Sequence, residues 1–264
     1  MQDELKIAVI QADLVWENPL HNRYTFLGKI EALPIAIGTE DIDLIILPEM
    51  FTTGFTMNVS SVAETMEGDT LKWMQYLAVK MKAAITGSII IKENNNFYNR
   101  LLFVHPSRKV EYYDKKHTFT LAGEHKVFAS GTKKLIVNYQ GWNICPLVCY
   151  DLRFPVWSRN VEDYDLLIYV ANWPKPRIKA WDVLLKARAI ENMSYCIGVN
   201  RVGTDVNNNE YPGHSAVYDG LGEQLSNFKE NEEQIEIITL SKSQTATIKE
   251  KLKFLDDKDK FTFY

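Results

Sequence analysis

The stretch from Trp142 to Pro155, Trp142-Asn-Ile-Cys-Pro-Leu-Val-Cys149-Tyr-Asp-Leu-Arg-Phe-Pro155, decides the fold. Its first half is a short apolar run and predicts a buried strand, and its second half turns polar, so Cys149 falls where strand gives way to loop. Ligands of open α/β sheets collect beyond the carboxyl ends of strands, which makes this thiol a candidate nucleophile. Pro146 lacks a backbone N–H and indicates a bulge just before the cysteine. A buried core cysteine is the alternative interpretation.

Length and composition favour one large domain. A chain of 264 residues, 46% of them hydrophobic, can bury a sizeable core, and a single α/β domain of this size is ordinary. Two smaller domains would need a linker, yet Gly and Pro are spread along the chain and no repeat is apparent. We therefore expect one domain over residues 1–264.

The net charge and the cysteines limit which binding partners and which cell compartment we expect. The net charge is −4, with basic residues interspersed among acidic ones, which argues against nucleic acid or an anionic membrane and favours a small molecule. Cys145, Cys149 and Cys196 cannot form a complete set of disulfides and show no metal-ligand spacing with the five histidines. The charged start of the chain does not resemble a signal peptide, and no run of about 18 apolar residues occurs. These features predict a cytoplasmic protein.

Hydrophobic periodicity outward from the opening stretch predicts two sheets with helices outside them. Helices are expected after Asn18-Pro19, with Leu20, Tyr24, Leu27 and Ile30 at helical spacing, after a cap at Asp69, from Pro155, and over 178–192. The predicted strands are 5–10, 43–47, 84–91, a pair of following strands ending at 113, 135–138, 142–148, 165–171, 195–202, 215–218 and 234–240.

Three chemically capable side chains each follow an apolar strand. They are Glu49, Lys115 and Cys149, and a shared strand-end position is how residues remote in sequence reach one site. A thiol with a pKa of about 8.5 is mostly protonated at neutral pH, so it needs a base or a cation to act as a nucleophile. Glu49 could accept the proton, and Lys115 with the backbone N–H of Tyr150 could hold an oxyanion. Taken singly, Glu49 and Lys115 are better explained as solvated surface charges, and only their combination with Cys149 favours a site.

At these positions the chain resembles the nitrilase superfamily of carbon–nitrogen hydrolases, of the amidase type. The resemblance rests on Leu47-Pro-Glu49-Met-Phe, Tyr113-Asp-Lys115-Lys-His-Thr-Phe and Val148-Cys149-Tyr-Asp-Leu-Arg-Phe-Pro, in the order of the family. Further matches are Gly123-Glu124, Ala171-Asn-Trp173-Pro, Lys186-Ala-Arg188-Ala-Ile-Glu191-Asn and Gly213-His-Ser215. Together they span most of the chain.

The resemblance implies a fold, a site and an assembly. It implies a four-layer α/β/β/α sandwich with Glu49, Lys115 and Cys149 as the catalytic triad, and with Glu124 positioning substrate and lysine. Cys149 would attack an amide and form a thioester. Side chains and backbone supply every chemical group needed, so no cofactor and no metal is expected. By analogy with the superfamily, the protein is expected to be a homodimer.

Two segments are most similar to the omega-amidase branch: 149–159, and Asn172-Trp-Pro-Lys-Pro-Arg177. That branch hydrolyses 2-oxo dicarboxylic monoamides such as 2-oxoglutaramate and 2-oxosuccinamate. Val156 and Thr118 depart from its pattern. A 2-oxo acid needs a cationic or amide partner for its carboxylate. Arg177 and Arg201 are the candidates, and Trp173 is expected to wall the pocket or to pack nearby.

Neighbouring residues have structural interpretations. His117 is expected to hydrogen bond structurally rather than act as a base. Asp151 and Arg153 are expected to support the cysteine loop, and Arg188 and Glu191 to form an ion pair on a helix.

Two other functions stay open at this point. One is an amidase of the same superfamily that acts on a peptide-like or carbamoyl compound. The other is a redox thiol protein or an inactive scaffold.

Overall fold

The structure, a computed structural model, describes residues 2–33 and 42–262. Its strands are β1 (Glu4–Gln11), β2 (Leu44–Ile46), β3 (Ala84–Glu93), β4 (Asn96–Val104), β5 (Val110–Asp114), β6 (Val137–Tyr139), β7 (Trp142–Val148), β8 (Leu166–Ala171), β9 (Tyr195–Asn200), β10 (Val202–Thr204), β11 (Glu210–Pro212), β12 (Ala216–Tyr218) and β13 (Gln234–Ser241). Its α-helices are α1 (Pro19–Glu31), α2 (Val59–Val62), α3 (Asp69–Met81), α4 (Pro155–Ser158), α5 (Ile178–Asn192) and α6 (Lys242–Leu252).

One sheet has the strand order β13-β1-β2-β3-β4-β5 and separates two apolar layers. Successive side chains of a strand point to opposite faces, and β1 shows this directly. Ile7 and Val9 lie in the core between the two sheets, whereas Ala8 and Ile10 lie in a second core beneath α1 and α3. This alternation explains why the strand sequence is almost continuously apolar.

The second sheet has the order β12-β9-β8-β7-β6, and α5 covers its outer face. Strands β7, β8 and β9 are parallel to one another, so their carboxyl ends lie at the same edge. With α1 and α3 outside the first sheet, the layers run helix, sheet, sheet, helix. The expected α/β/β/α sandwich is confirmed.

Pro146 does not create a bulge, and that expectation was wrong. It lies in unbroken parallel register opposite Ile168. On the other side of β7 the antiparallel partner β6 pairs only up to Ile144. Beyond that residue β6 requires no ladder hydrogen bond from β7, so this stretch of the strand can accommodate a proline.

The buried face of α1 also differs from the expected one. Leu20 and Tyr24 are 72% and 75% exposed, whereas Ile30 is buried as expected, together with Asn22 and Phe26. The cause is polar, because the Asn22 amide donates to the carbonyl oxygens of Val15 and Thr52, each at 2.7 Å. These bonds rotate the helix away from its most apolar stripe.

Several local expectations need smaller corrections. Asp69 is the first residue of α3, and Gly68 rather than Asp69 occupies the N-cap position. The short antiparallel pair of β10 and β11, together with α2 and α6, was not anticipated from the sequence. Within the described ranges, no helix is long and apolar enough to cross a membrane.

The contact between α5 and β9 depends on a missing side chain at Gly198. A Cβ there would lie 2.3 Å from Leu185 Cδ1 and 2.6 Å from Trp181 Cζ2, which is far inside van der Waals contact. Both neighbours are fully buried, so neither can move without repacking the outer layer.

We expect Gly198→Ala to destabilise the protein by about 1–3 kcal/mol through overpacking. Gly28→Ala in α1 is the matched control, because a Cβ there meets no atom within 4 Å. The control should gain about 0.4–1 kcal/mol from lost chain entropy. Urea unfolding of both variants measures the difference, and equal midpoints would contradict this account of the packing.

Candidate active site

The residues expected to form the site come from the ends of strands in both sheets. Glu49 follows β2, Lys115 follows β5 and Cys149 follows β7. The side chains of Glu49 and Lys115 are 0% and 1% exposed, and Cys149 is 9% exposed. Charged side chains are almost never buried to this extent unless they are paired. Their burial therefore indicates that the charged groups are paired with one another.

Lys115 lies at the centre of that cluster. Its Nζ lies 2.9 Å from Glu49 Oε1 and 2.9 Å from Glu124 Oε2. Asn99 of β4 joins the two carboxylates, since its Nδ2 donates to Glu49 Oε1 at 2.8 Å and to Glu124 Oε1 at 3.3 Å. Glu124 is fully buried and lies where the resemblance placed it, beside the lysine.

Two backbone groups fix the carboxylates. The N–H of Asn172, just after β8, donates to Glu49 Oε2 at 2.8 Å, and the Asn172 side chain donates to the Glu49 carbonyl oxygen at 2.6 Å. The N–H of Phe119 donates to Glu124 Oε2. Both oxygens of each carboxylate are thereby engaged, which holds their orientation.

The charges of the cluster act on one another's pKa. Burial alone would lower the pKa of Lys115, but the carboxylates of Glu124 and Glu49 outweigh it, so the pKa is raised and the ammonium form persists. The pKa of Glu124 is raised by burial and by the Glu49 charge, against the opposing effect of Lys115. With one cation between two carboxylates, the cluster has an excess of negative charge.

Burial and this excess of negative charge together set the protonation state of the Cys149 thiol. Burial raises the pKa of the Cys149 thiol well above its ordinary value, and the Glu49 carboxylate raises it further, both by its charge and by a hydrogen bond with the thiol. Lys115 opposes the shift without overcoming it. The resting group is therefore a neutral thiol whose proton is poised for transfer to Glu49, rather than a free thiolate.

The backbone of Cys149 is itself unusual. Its φ of +44° places it in the left-handed region, which a non-glycine residue adopts only at a cost. The next residues form a 3₁₀ turn, Cys149–Arg153, so the chain reverses sharply at the end of β7. Such strain occurs mainly at functional sites, where the surrounding structure enforces it.

A buried hydrogen-bond network enforces this turn, with Asp151 at its centre. One Asp151 oxygen accepts from the Tyr113 hydroxyl at 2.8 Å and from the Val148 N–H at 3.1 Å. The other accepts from the His117 N–H at 3.0 Å and lies 2.7 Å from His117 Nδ1. The structure thus places His117 and Asp151 in the supporting roles expected from the sequence.

Helix α5 supports the same turn from the other side. Arg188 donates to the Leu152 carbonyl oxygen at 2.7 Å and pairs with Glu191 at 2.9 Å. The expected ion pair is present, and Arg188 has the additional task of holding the cysteine turn.

The cluster opens into a cavity of about 210 Å³, below the roughly 300–1,000 Å³ of pockets for drug-sized ligands. Lys115 and Cys149 line it. The remaining wall consists of Phe55, Phe119, Leu121, Ala122, Tyr150, Arg153, Asn172, Trp173, Pro174, Arg177, Asn209 and Tyr211. The cavity suits a small molecule that carries a reactive group at one end.

Two arginines line the cavity and stack on its aromatic wall. The guanidinium carbon of Arg177 lies 5.1 Å from the ring centroid of Phe119, and that of Arg153 lies 4.9 Å from that of Trp173. In the part of the chain that the structure describes, neither has a carboxylate partner. Arg153, expected to support the loop, instead faces the cavity with Arg177 and Trp173.

Arg201 is placed elsewhere. It is fully buried outside the cavity lining, and its guanidinium donates to Asp13 Oδ1 at 2.6 Å and to the carbonyl oxygens of Leu14 and Val202. Its Nη1 has no hydrogen-bond partner among the described residues, but Arg201 does not line the cavity, so the structure does not place it where a substrate carboxylate was expected to bind.

Comparison with known proteins identifies the family. The carbon-nitrogen hydrolase model matches residues 6–250. The chain belongs to the carbon–nitrogen hydrolase family. It is 41% identical over 260 residues to omega-amidase YafV of Escherichia coli strain K12, covering 98% of this chain and 99% of that protein. It is 30% identical to 2-oxoglutaramate amidase of Bacillus subtilis, covering 95% and 96%.

Solved structures agree with this membership. A carbon–nitrogen hydrolase superfamily protein from Xanthomonas campestris, whose crystal structure holds an arsenic adduct in the active site, superimposes with a TM-score of 0.95 at 40% identity over 100% of both chains. Yeast Nit3, from Saccharomyces cerevisiae, gives a TM-score of 0.85 at 21% identity and shows the shared fold. A carbon–nitrogen hydrolase of this family hydrolyses amide bonds.

Sequence reasoning missed several residues of the site. Asn99 carried only a weak signal, because its strand also contains Asn96 and Arg100. Asn172 also carried one, since it follows a buried strand as Glu49 does. Asn209 and Tyr211 carried none, because the short pair of strands that presents them was not recognised. Among residues 2–33 and 42–262 there is no cluster of three or more His, Cys, Asp or Glu side chains able to hold a metal.

The negative excess of the cluster predicts an unusual response to Glu49→Gln. Removing this charge and its hydrogen bond should lower the pKa of the Cys149 thiol, because Lys115 then faces only one buried carboxylate. The thiol should become easier to alkylate while turnover falls by at least about 100-fold through loss of the base. The pH dependence of iodoacetamide labelling measures the first effect.

Glu67→Gln, at an exposed position remote from the cavity, is the control and should leave both quantities unchanged. A labelling midpoint that stays fixed or rises in Glu49→Gln would contradict the electrostatic account.

Proposed function

We propose that the protein is an omega-amidase that hydrolyses the terminal amide of 2-oxo dicarboxylic monoamides, such as 2-oxoglutaramate and 2-oxosuccinamate, to the 2-oxo acid and ammonia. The observation that carries the proposal is the set of residues that line the cavity. Cys149 and Lys115 line it together with Arg153 and Arg177, two arginines without a carboxylate partner among the described residues. The relatives named omega-amidase and 2-oxoglutaramate amidase support the same substrate class.

The first half of the reaction forms a thioester. The Cys149 sulfur attacks the amide carbon while its proton passes to Glu49, whose carboxylate helps to raise the pKa of the thiol. The amide oxygen becomes an oxyanion held by the Lys115 ammonium and by the N–H of Tyr150. Glu49 then gives the proton to the departing nitrogen, the carbon–nitrogen bond breaks, and ammonia leaves.

The second half uses water in place of the thiol. Glu49 accepts a proton from a water molecule, the hydroxide oxygen attacks the thioester carbon, and the carbon–sulfur bond breaks. The sulfur recovers its proton through Glu49, and the carboxylic acid product leaves. Glu124 keeps Lys115 in position through both halves, since it holds the ammonium at 2.9 Å.

Arg177 and Arg153 are proposed to bind the substrate carboxylate. A guanidinium matches a carboxylate with two parallel hydrogen bonds, and stacking on Phe119 or Trp173 leaves the donor edge of each free. Trp173 also forms part of the wall, with its indole N–H fixed to the Arg177 carbonyl oxygen at 2.8 Å. Arg201 is left out of this set, because it is fully buried and does not line the cavity.

The chemical state of the nucleophile disfavours the redox alternative. Redox-sensing cysteines are typically exposed and have a lowered pKa, whereas the pKa of Cys149 is raised and its side chain is buried. Another amide substrate is a stronger rival, because the Glu–Lys–Cys chemistry is common to the family. The unpartnered arginines favour an anionic amide over a neutral or carbamoyl one.

We further propose that residues 1–264 act as one carbon–nitrogen hydrolase domain, that the protein works as a homodimer, and that it is cytoplasmic. The family match over residues 6–250 supports the first point. The second is by analogy with the superfamily. The three cysteines are all unpaired, which agrees with a reducing compartment.

A panel of amides tests the proposed reaction. Ammonia release should be fastest with 2-oxoglutaramate or 2-oxosuccinamate, and Cys149→Ala should abolish it because no other nucleophile is in place. Cys196→Ala is the matched control, since that thiol is also buried but lies in the core of the second sheet. Equal activity of Cys149→Ala and wild type would rule out the covalent route, and a preference for neutral amides would rule out the substrate class.

Arg177→Ala tests recognition of the substrate carboxylate. Losing a charge-assisted hydrogen bond costs about 1.5–3 kcal/mol, so KM should rise about 10- to 100-fold with little change in kcat. Lys179→Ala is the control, because it removes a nearby exposed cation that does not line the cavity. Steady-state kinetics separate the two effects, and a KM that rises equally in both variants would point to general surface charge instead.

A further inference from the structure

The antiparallel pair of β10 and β11 with its connecting turn, residues 202–212, is called the hairpin below. It supplies two residues to the cavity wall, Asn209 and Tyr211, and none to the catalytic cluster. Strand β11 is tied to the turn that carries Arg177 by an ion pair between Glu210 and Lys175. The hairpin therefore forms a wall of the binding pocket that is separate from the chemistry.

One buried carboxylate organises the hairpin. Asp205 Oδ1 accepts the N–H groups of Asn207 and Asn209, at 2.8 and 3.0 Å, which closes the turn. Its other oxygen, Oδ2, accepts the Asn209 side-chain amide at 2.9 Å and the Tyr211 hydroxyl at 3.0 Å. One oxygen thus builds the turn, and the other holds the two side chains that face the cavity.

The protonation states of the pair agree with this arrangement. Burial disfavours the charge of Asp205, but the hydrogen bonds from Asn209 and Tyr211 prevail, and the pKa of the carboxyl is lowered. Burial and the Asp205 charge raise the pKa of Tyr211, so its hydroxyl stays protonated and donates. The contact is a charge-assisted hydrogen bond of the stronger kind.

The ring of Tyr211 is held from another direction as well. The guanidinium carbon of Arg201 lies 4.6 Å from the ring centroid, and Arg201 is in turn fixed by Asp13. A tyrosine held by both its hydroxyl and its ring presents a rigid surface to a ligand, which lowers the entropic cost of binding.

We propose that Asp205 is a positioning residue for substrate specificity: through Oδ2 it holds Asn209 and Tyr211 as a preformed wall that fits the body of the amide substrate. The inference rests on the proposed function only for the choice of substrate. It assigns to the hairpin a role in binding and none in the chemical step.

The chain contains a matched control in a second turn of the same design. Asp219 Oδ1 accepts the N–H groups of Leu221 and Glu223, both at 2.9 Å, as Asp205 Oδ1 does for Asn207 and Asn209. No group in the described part of the chain donates to Asp219 Oδ2, and Asp219 does not line the cavity. Asparagine keeps the Oδ1 acceptor, so either turn can still close after the substitution. Only at position 205 does the substitution replace an oxygen that accepts hydrogen bonds in the wild type.

The test compares Asp205→Asn with Asp219→Asn, using the amide that wild type hydrolyses best in the panel. Asp205→Asn sets an amide donor against the Asn209 amide donor, so KM should rise about tenfold, as expected for one lost charged hydrogen bond. Its kcat should stay within about twofold of wild type, because the lost contact stabilises the bound substrate and the transition state equally. Asp219→Asn should leave both constants unchanged.

Tyr211→Phe provides a second measurement that leaves the turn intact. It removes only the hydroxyl held by Asp205 and should raise KM in the same direction, and it decides the matter if Asp205→Asn does not fold. Unchanged KM in both hairpin variants, or a fall in kcat at constant KM, would overturn the proposal. Failure of the proposed function would be seen separately, as wild-type preference for amides outside the 2-oxo dicarboxylic class.

Discussion

The structure depends on one buried ammonium. Lys115 lies between Glu49 and Glu124 at 2.9 Å from each, with almost no exposure to solvent. Removing Lys115 would leave two buried carboxylates without a compensating cation, at a cost of several kcal/mol. The cluster adds little to the stability of the fold, because well-packed apolar residues in its place would stabilise the fold equally well. Its justification is chemical, since the cluster sets the proton affinity of the thiol beside it.

The fold supplies the precision that this chemistry requires. Glu49 and Lys115 extend from one sheet and Cys149 from the other, so the packing of the two sheets against each other fixes their separation. The inner core consists of interlocked strand residues, and interiors of this kind transmit small displacements. Turns then complete the geometry: Asp151 holds the cysteine turn, and Asn172 holds Glu49.

The sequence predicted those residues of the candidate site whose placement depends on their local position in the chain. Glu49 and Cys149 each follow a short apolar strand, so their placement at strand ends could be predicted. Lys115 follows the mixed strand β5, and its place in the site came from the family resemblance. The buried face of α1 could not, because a single polar residue, Asn22, overrides the hydrophobic stripe through hydrogen bonds to distant carbonyl groups. The cavity wall was equally inaccessible. Tyr211 belongs to a three-residue strand in a polar stretch, too short for any periodicity to appear.

Burial divides the charges of the pocket into two kinds. Those of the catalytic cluster lie almost wholly out of contact with water, where dissolved ions screen them little. Arg177 lies only partly buried on the wall, within reach of mobile counterions. Rising ionic strength should therefore weaken capture of an anionic substrate while leaving the bond-breaking steps nearly untouched. Concentrated salt would lower kcat/KM only by weakening the binding of substrate, and saturating substrate would restore the full turnover rate.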